Sequence, residues 1–305
     1  MRLNLNFKSQ RFFSWLLLSL LGLIWGSSFL SIKIALISFQ ATQIASLRII
    51  IGSLILSIVS LFFNINVFNW RKPRGYWISC LGVAFLSNAF PFTLLAIAQE
   101  HLSSVFVGLC MATIPLITLL LTYLLLTNEQ ITIKKILGIL LGISGTAILI
   151  MSRKGLMNNP FSLANIYVWL CVLAPFCYAM GAIVIRKSNP SDYLEFSTHC
   201  LLIASLICIP NLIFLGSFPP NPNIKSILAI LYLGLFPTGI ATIILVTIIK
   251  NYGTIFLSLV NFKVPLWSTI FGLLVLGEDL PNNFSTSFIL ILIGILVCQM
   301  ENRND

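Results

Sequence analysis

Lys263 is the residue of this sequence with the clearest chemical potential, because it lies inside a long apolar stretch. The surrounding run, SLVNFKVPLWSTIFGLLVLG, is apolar for about two helical turns on either side of the lysine. A charged side chain in lipid is unfavourable unless it faces a polar cavity or a partner. Such a lysine could bind the carboxylate or phosphate of a solute, exchange a coupling proton, or serve structurally by reaching towards the headgroups or pairing with a carboxylate.

Two neighbours on the same predicted helix add polar groups beside Lys263. Pro265 lacks a backbone donor, which frees the carbonyl of Asn261 four residues earlier. The Asn261 side chain, the freed carbonyl and the lysine then lie within about one turn of each other. We therefore predict that Lys263 and Asn261 bind the substrate, and that Pro265 has a structural or gating role.

Aromatic and amide side chains in other apolar stretches could line the same route. Trp25 and Tyr178 can stack on a solute or donate a hydrogen bond from the indole or the phenol, and each could equally serve in packing. Asn88 precedes Pro91, and Pro-Thr-Gly follows at 237–239, so two helices are predicted to break at related depths. We predict that Trp25, Tyr178 and Asn88 contact the substrate.

Several charged residues lie near the ends of the apolar stretches. Arg48 is near the start of the second stretch, while Glu129 and Glu278 end the fourth and the ninth. A carboxylate at a helix C-terminus opposes the helix dipole, so each glutamate is expected to have a specific partner. We predict structural or gating roles for Arg48, Glu129, Glu278 and Pro115. Lys33 is predicted to extend to the lipid headgroups.

These residues must be positioned by membrane helices. The 305-residue chain is 58% hydrophobic and 9% charged, with a mean hydropathy of +1.01. Stretches of about 20 apolar residues are long enough to cross a bilayer as helices. The sequence predicts an all-α integral membrane protein with ten spans, at 12–35, 42–63, 76–97, 103–126, 134–152, 165–185, 195–215, 226–248, 254–276 and 284–300.

The distribution of basic residues predicts the orientation. With the N-terminus inside, twelve of the 18 Lys and Arg residues fall in inner segments, three in outer segments and three within spans. This excess of positive charge on one side indicates cytoplasmic N- and C-termini. The net charge of +10 is therefore explained by topology, and no nucleic-acid partner is predicted.

The chain also repeats itself. WGSSFLSIK at 25–33 has a counterpart in YAMGAIVIR at 178–186, and TIPLITLLLTYLLLTNE at 113–129 parallels KVPLWSTIFGLLVLGE at 263–278. Each half holds five predicted spans, an odd number, so the second half is expected to insert upside down relative to the first. Inverted repeats of this kind are typical of secondary transporters. We predict two five-helix repeats, at 12–152 and 165–300.

These landmarks, in this order, resemble the EamA type of the drug/metabolite transporter superfamily over residues 12–300. They comprise Trp25-Gly26, Arg48 in SLRIIIG, the segment NAFPFTLLAIAQEHLSSVFVGL, Pro115 before Glu129, the glycines of GILLGISG, Tyr178, Pro265 and Gly277-Glu278. The resemblance implies a ten-helix carrier with cytoplasmic ends, a type that often exports amino acids or other small metabolites.

The chain departs from that family pattern at two places. The family usually has an apolar residue at the position of Lys263. The second half keeps Gly294 but lacks counterparts of Gly138 and Gly142, so its last helix is expected to pack less closely than its partner in the first half.

Other function classes find less support in the sequence. The two histidines have no metal-binding motif, the seven cysteines form no CxxC pair, and GxxxxGK[ST] is absent. We therefore predict no enzyme activity, no cofactor and no metal. A membrane enzyme and a non-transporting scaffold are the less favoured alternatives.

The charges also favour one class of substrate. No Asp or Glu lies deep in a predicted span, whereas one Lys does. We predict a plasma- or inner-membrane secondary transporter that exports amino acids or other anionic or zwitterionic metabolites by alternating access. The expected partners are a small-molecule substrate and the lipid bilayer, and the energy source is a coupling proton or exchange. The alternative substrates are multiple drugs or lipid-like compounds, and both a monomer and a homodimer fit the sequence.

Overall fold

The described part of the chain consists of helices that are connected by short links. The computed structural model describes residues 7–65, 67, 71–125, 132–151, 163–214 and 218–299. Apolar side chains dominate every long segment, and in lipid a helix satisfies all of its own backbone hydrogen bonds. The α-helices are α1 Phe7–Ala35, α2 Ala41–Phe62, α3 Arg74–Val83, α4 Phe90–His101, α5 Ser104–Met111, α6 Ile114–Leu125, α7 Ile133–Met151, α8 Leu163–Ser188, α9 Tyr193–Phe214, α10 Ile224–Leu233, α11 Ala241–Ser258, α12 Val260–Leu274 and α13 Phe284–Gln299.

Within these described residues, eight helical stretches are long and apolar enough to cross a membrane. The predicted ninth and tenth spans are shorter helices, α12 with 15 residues and α13 with 16. The link predicted at 249–253 is helical, because α11 continues to Ser258 and leaves α12 to begin at Val260. The chain is thus an all-helical, multi-pass membrane protein.

Helices from the first part of the chain pack against helices from the second. α1 lies against α12 and α10, and α2 lies against α9. In the same way α8, from the second part, lies against α4, α6 and α3. Residues that are far apart in sequence therefore meet in the middle of the bundle.

The last helix packs closely, in contrast to the expectation from its missing glycines. α13 lies along α7, and a Cβ added to Gly294 would lie 2.6 Å from the Gly138 carbonyl oxygen and 2.8 Å from the Gly142 nitrogen. The glycines of α7 supply the space for both helices, so α13 needs only Gly294 for a close approach.

Candidate functional site

Two short π-helical segments interrupt the bundle at related positions in the sequence. One, Ala84–Ala89, joins α3 to α4, and the other, Gly234–Ile240, joins α10 to α11. Each lies at a Phe-Pro pair: Phe90-Pro91 directly follows the first segment, and Phe236-Pro237 lies within the second. Proline cannot donate to the helical ladder, and a wider turn accommodates the gap. π-Helical turns occur frequently at functional sites.

The Arg48 guanidinium lies between these two breaks. Its Cζ is 3.8 Å from the centroid of the Phe92 ring, and its Nε donates a hydrogen bond to Thr238 Oγ1 at 3.2 Å. Phe92 and Thr238 occupy the same position in their segments, directly after Pro91 and Pro237. One side chain from α2 thus contacts both broken helices.

Arg48 carries a buried positive charge. The residue is 4% exposed, and the contacts described for its guanidinium are with Phe92 and Thr238 rather than with a carboxylate. No described carboxylate therefore neutralises the guanidinium. A charge held in this way is costly to bury and attracts an anion strongly.

Tyr178 lies beside this charge. Its ring is 6.4 Å from the Phe92 ring, centroid to centroid, and tilted by 56°. The hydroxyl is within electrostatic range of Arg48. Tyr178, predicted from the sequence as a substrate contact, is therefore brought together with Arg48, for which a structural or gating role was predicted. We call Arg48, Phe92, Tyr178 and Thr238 the central cluster.

Trp25 and Asn88 are the two substrate contacts predicted in the first half of the chain, and each contacts its own local surroundings. Trp25 packs against the same large apolar core as Tyr178. Asn88 lies within the first π-helical segment, where its side-chain amide donates to the Val83 carbonyl oxygen at 3.3 Å. Asn88 thereby satisfies one of the backbone carbonyls of the widened turn.

Lys263 has a different set of neighbours, on α1. Its Nζ donates to Ser19 Oγ at 3.0 Å and lies 5.9 Å from the centroid of the exposed Trp15 ring. Its Cβ packs against Gly22, where an added Cβ would be only 2.6 Å away. Asn261 is half-buried on the same helix, α12. None of these contacts involves a member of the central cluster.

The remaining predicted gating or structural residues are distributed over several elements. Pro115 is the second residue of α6, where a missing amide is tolerated, whereas Pro265 is inside α12. The Pro265 carbonyl accepts hydrogen bonds from Ser268 and Thr269. Glu129 lies outside the described residues.

Glu278 has the specific partner that its position at a helix end requires. Its carboxylate binds the first turn of α5 at Ser104. Lys33, expected to reach the headgroups, instead donates to the Gln99 carbonyl oxygen inside the protein, at 2.6 Å. Both residues therefore link helices that are distant in sequence.

Phe92 is the member of the central cluster that sequence reasoning missed, and Thr238 was named only as part of the predicted break at 237–239. A signal was available, because each follows a Phe-Pro pair, one in each half. Among the described residues, no group of three or more His, Cys, Asp or Glu side chains could hold a metal ion. The arrangement is suited to binding an anionic group through the charge and hydrogen bonds of Arg48, while Phe92 holds one face of the guanidinium.

Comparisons with known proteins agree on the kind of protein. The EamA-like transporter family matches at residues 13–151 and again at 165–299. The uncharacterized transporter YdfC of Bacillus subtilis is 25% identical over 259 residues, which cover 84% of this chain and 80% of YdfC. An uncharacterized transporter of Archaeoglobus fulgidus is 23% identical over 295 residues, covering 93% of this chain and 97% of its own.

A plant protein and a solved structure extend these similarities. The WAT1-related protein At3g02690, chloroplastic, of Arabidopsis thaliana is 24% identical over 313 residues, covering 96% of this chain and 71% of its own. One crystal structure matches with a TM-score of 0.68 at 21% identity, over 95% of this chain and 97% of the other. At that identity the structural match establishes the fold alone.

Proposed function

Because the chain belongs to the EamA-like transporter family, we propose that it is a secondary carrier that exports small anionic or zwitterionic metabolites by alternating access. The observation that carries the substrate class is the buried guanidinium of Arg48, which has no described carboxylate partner. The EamA match and the transporter names of its relatives support the coarser statement, a membrane transporter.

Arg48 is the proposed anchor for the negative group of the substrate. Nε of Arg48 is hydrogen-bonded to Thr238, and Phe92 covers one face of the guanidinium. The two Nη groups therefore form the edge that remains for a ligand. That edge matches the two oxygens of a carboxylate. Tyr178 would add a phenol beside the bound group. Lys263 is the competing anchor, supported by the isolation of its charge within an apolar helix.

The packing of the helices supports alternating access. The two segments that match the EamA family contribute opposite sides of the central cluster, Arg48 and Phe92 from one and Tyr178 and Thr238 from the other. Rocking of two five-helix halves about this cluster would expose it to each side in turn. Ten spans, inverted repeats and cytoplasmic termini complete the proposal.

Thermal unfolding of the purified protein tests the proposed substrate class. The protein is heated with a panel of amino acids, organic acids, phosphorylated metabolites and cationic dyes, because a ligand that binds the folded state stabilises it by mass action. We expect an acidic or zwitterionic compound to raise the Tm of the wild type and of Arg74→Gln, an exposed arginine control, but not of Arg48→Gln. Equal stabilisation of all three proteins by cationic or apolar compounds would contradict the proposal.

A Lys263→Met arm distinguishes the two anchors. If Lys263 binds the negative group, the stabilising compound loses its effect on Lys263→Met and keeps it on Arg48→Gln. If Arg48 binds the group, the pattern is reversed. Tm values without any compound show whether each variant remains folded.

A further inference from the structure

The carboxylate of Glu278 bridges the end of α12 and the beginning of α5. Its Oε1 accepts from the Ser104 amide at 2.9 Å, and its Oε2 accepts from the Ser104 hydroxyl at 2.7 Å and the Val105 amide at 3.1 Å. The first amides of a helix have no partner within the helix, and a negative charge is stabilised there. Glu278 therefore holds α5 by three charge-assisted hydrogen bonds.

The backbone around Glu278 is shaped for this contact. A Cβ added to Gly272 would lie 2.5 Å from Val105 Cγ2 and 2.9 Å from both Glu278 Oε2 and Ser104 Oγ. Gly277 has a φ of +64°, which lets the chain turn back immediately before the glutamate. Side chains larger than hydrogen at Gly272 would separate the two helices.

A basic side chain, that of Lys33, interacts electrostatically with Glu278. Lys33 Nζ is bonded to the Gln99 carbonyl oxygen and is also within electrostatic range of Glu278. The Gln99 side chain donates to the Phe29 carbonyl oxygen at 2.8 Å, but its own Oε1 is buried without a hydrogen-bond partner. A buried acceptor without a hydrogen-bond partner costs free energy. These contacts are therefore less stable than a fully hydrogen-bonded arrangement would be.

The surroundings of Glu278 contain a mixture of charges. Lys33 faces it from α1, and Asp279 follows it on the same loop. His101, at the end of α4, lines a shallow pocket together with Asp279. Glu278 therefore lies among ionisable side chains as well as the amides of α5.

We propose that Glu278 and the first turn of α5 form a latch, which closes the substrate route at the end where α5 begins. Release of the latch breaks the three hydrogen bonds to Glu278 and frees the Ser104 and Val105 amides. The contact joins the two segments that match the EamA family, and it consists of polar hydrogen bonds that water can replace. The proposal rests on the alternating-access carrier proposed above.

A cysteine placed beneath the latch reports its opening. Ser268 is buried one turn before Gly272 and contacts Gly108, which lies one turn after Ser104. In Ser268→Cys, labelling by a water-soluble maleimide is measured as the increment over the protein that lacks this substitution. We expect Glu278→Gln to accelerate the labelling about tenfold, because it removes the charge from three hydrogen bonds. Ser104→Ala, which removes one bond, should give a smaller acceleration.

Two controls separate a latch from general destabilisation. Glu100→Gln, which alters an exposed carboxylate in the last turn of α4, should leave the labelling rate unchanged. The second reporter is Ser14→Cys, because Ser14 is buried near the start of α1, at the end away from Lys33. Its labelling rate should not increase in Glu278→Gln. Equal labelling with and without Glu278→Gln, or equal acceleration at both reporters, would overturn the latch.

The labelling experiment requires no substrate, so its outcome is independent of the proposed anchor. Faster labelling at Ser268→Cys would support the latch even if Arg48→Gln kept full ligand binding. Unchanged labelling would refute the latch even if Arg48→Gln lost all binding.

Discussion

Arg48 and Lys263 are two basic residues in apolar helices with contrasting surroundings. Arg48 bridges the two π-helical breaks and contacts Phe92 and Thr238, which come from different halves of the chain. Lys263 is half-buried, and its hydrogen-bond partner is Ser19 of α1. Trp15, the aromatic ring nearest to its ammonium group, is exposed.

Isolation in the sequence and position in the bundle are two different signals for a functional cation. Lys263 stands out because its neighbours are apolar for two turns, whereas Arg48 lies close to the start of its span. The number of helices that contact a side chain depends on how the helices pack. α2, which carries Arg48, packs against both the second break and α9. Arg48 is close to both broken helices, whereas the contacts described for Lys263 are with α1 alone, and for this reason Arg48 is the proposed anchor.

The largest expected effect is that of Arg48→Gln. Loss of the buried charge should weaken binding of the best acidic compound from the thermal panel about 100-fold, because it leaves the bound carboxylate without its partner. Equilibrium binding to the purified protein measures the change. Arg74→Gln, which alters an exposed arginine, should bind as the wild type does; equal weakening in both variants would remove Arg48 from the site.

Thr238→Val should have the next largest effect. Valine keeps the shape of the side chain but leaves Nε of Arg48 without its acceptor, so the guanidinium loses its orientation. We expect about tenfold weaker binding of the same compound. Thr247→Val is the matched control, because that hydroxyl bonds only to the Ile243 carbonyl among the contacts described. Wild-type affinity in Thr238→Val would contradict this orienting role.

Phe92→Leu should have a smaller effect. It removes the aromatic face beneath the guanidinium, a contact that contributes about 1 kcal/mol when buried, and should weaken binding about fivefold. The control is Phe85→Leu, since Phe85 is partly exposed and stacks on Phe90 rather than on Arg48. If both variants bind equally well, the ring serves packing alone.

Lys263→Met should have the smallest effect on binding, within about twofold, because the lysine contacts a serine and an exposed ring rather than the central cluster. The same equilibrium binding measurement gives the affinity, and Lys225→Met, a substitution of an exposed lysine, is the control. A loss as large as that of Arg48→Gln would reverse the comparison and make Lys263 the anchor.

The sequence alone predicted the helical, membrane-spanning character and the family resemblance, because hydropathy and ordered landmarks are local signals. It also located the breaks near Pro91 and Pro237, since proline acts on its own helix. The continuation of α11 to Ser258 was not predicted, because Tyr252-Gly253 resembles a link in composition yet adopts helix.

The contacts that define the central cluster and the latch were not predictable in the same way. Arg48 and Thr238 are 190 residues apart, and Ser104 and Glu278 are 174 apart. Glu278 was expected to have a partner, but backbone amides at a helix start are available in every sequence and leave no residue signature. The matching Phe-Pro pairs, which the sequence analysis did not use, mark the positions of Phe92 and Thr238.

The most direct test of the central claim varies the ligand and the protein together. Binding of the best acidic compound and of its neutral amide analogue is measured for wild type, Arg48→Gln and Lys263→Met. The account predicts that the wild type and Lys263→Met prefer the acid strongly, and that Arg48→Gln binds acid and amide nearly equally. An Arg48→Gln protein that keeps the preference for the acid would contradict the account.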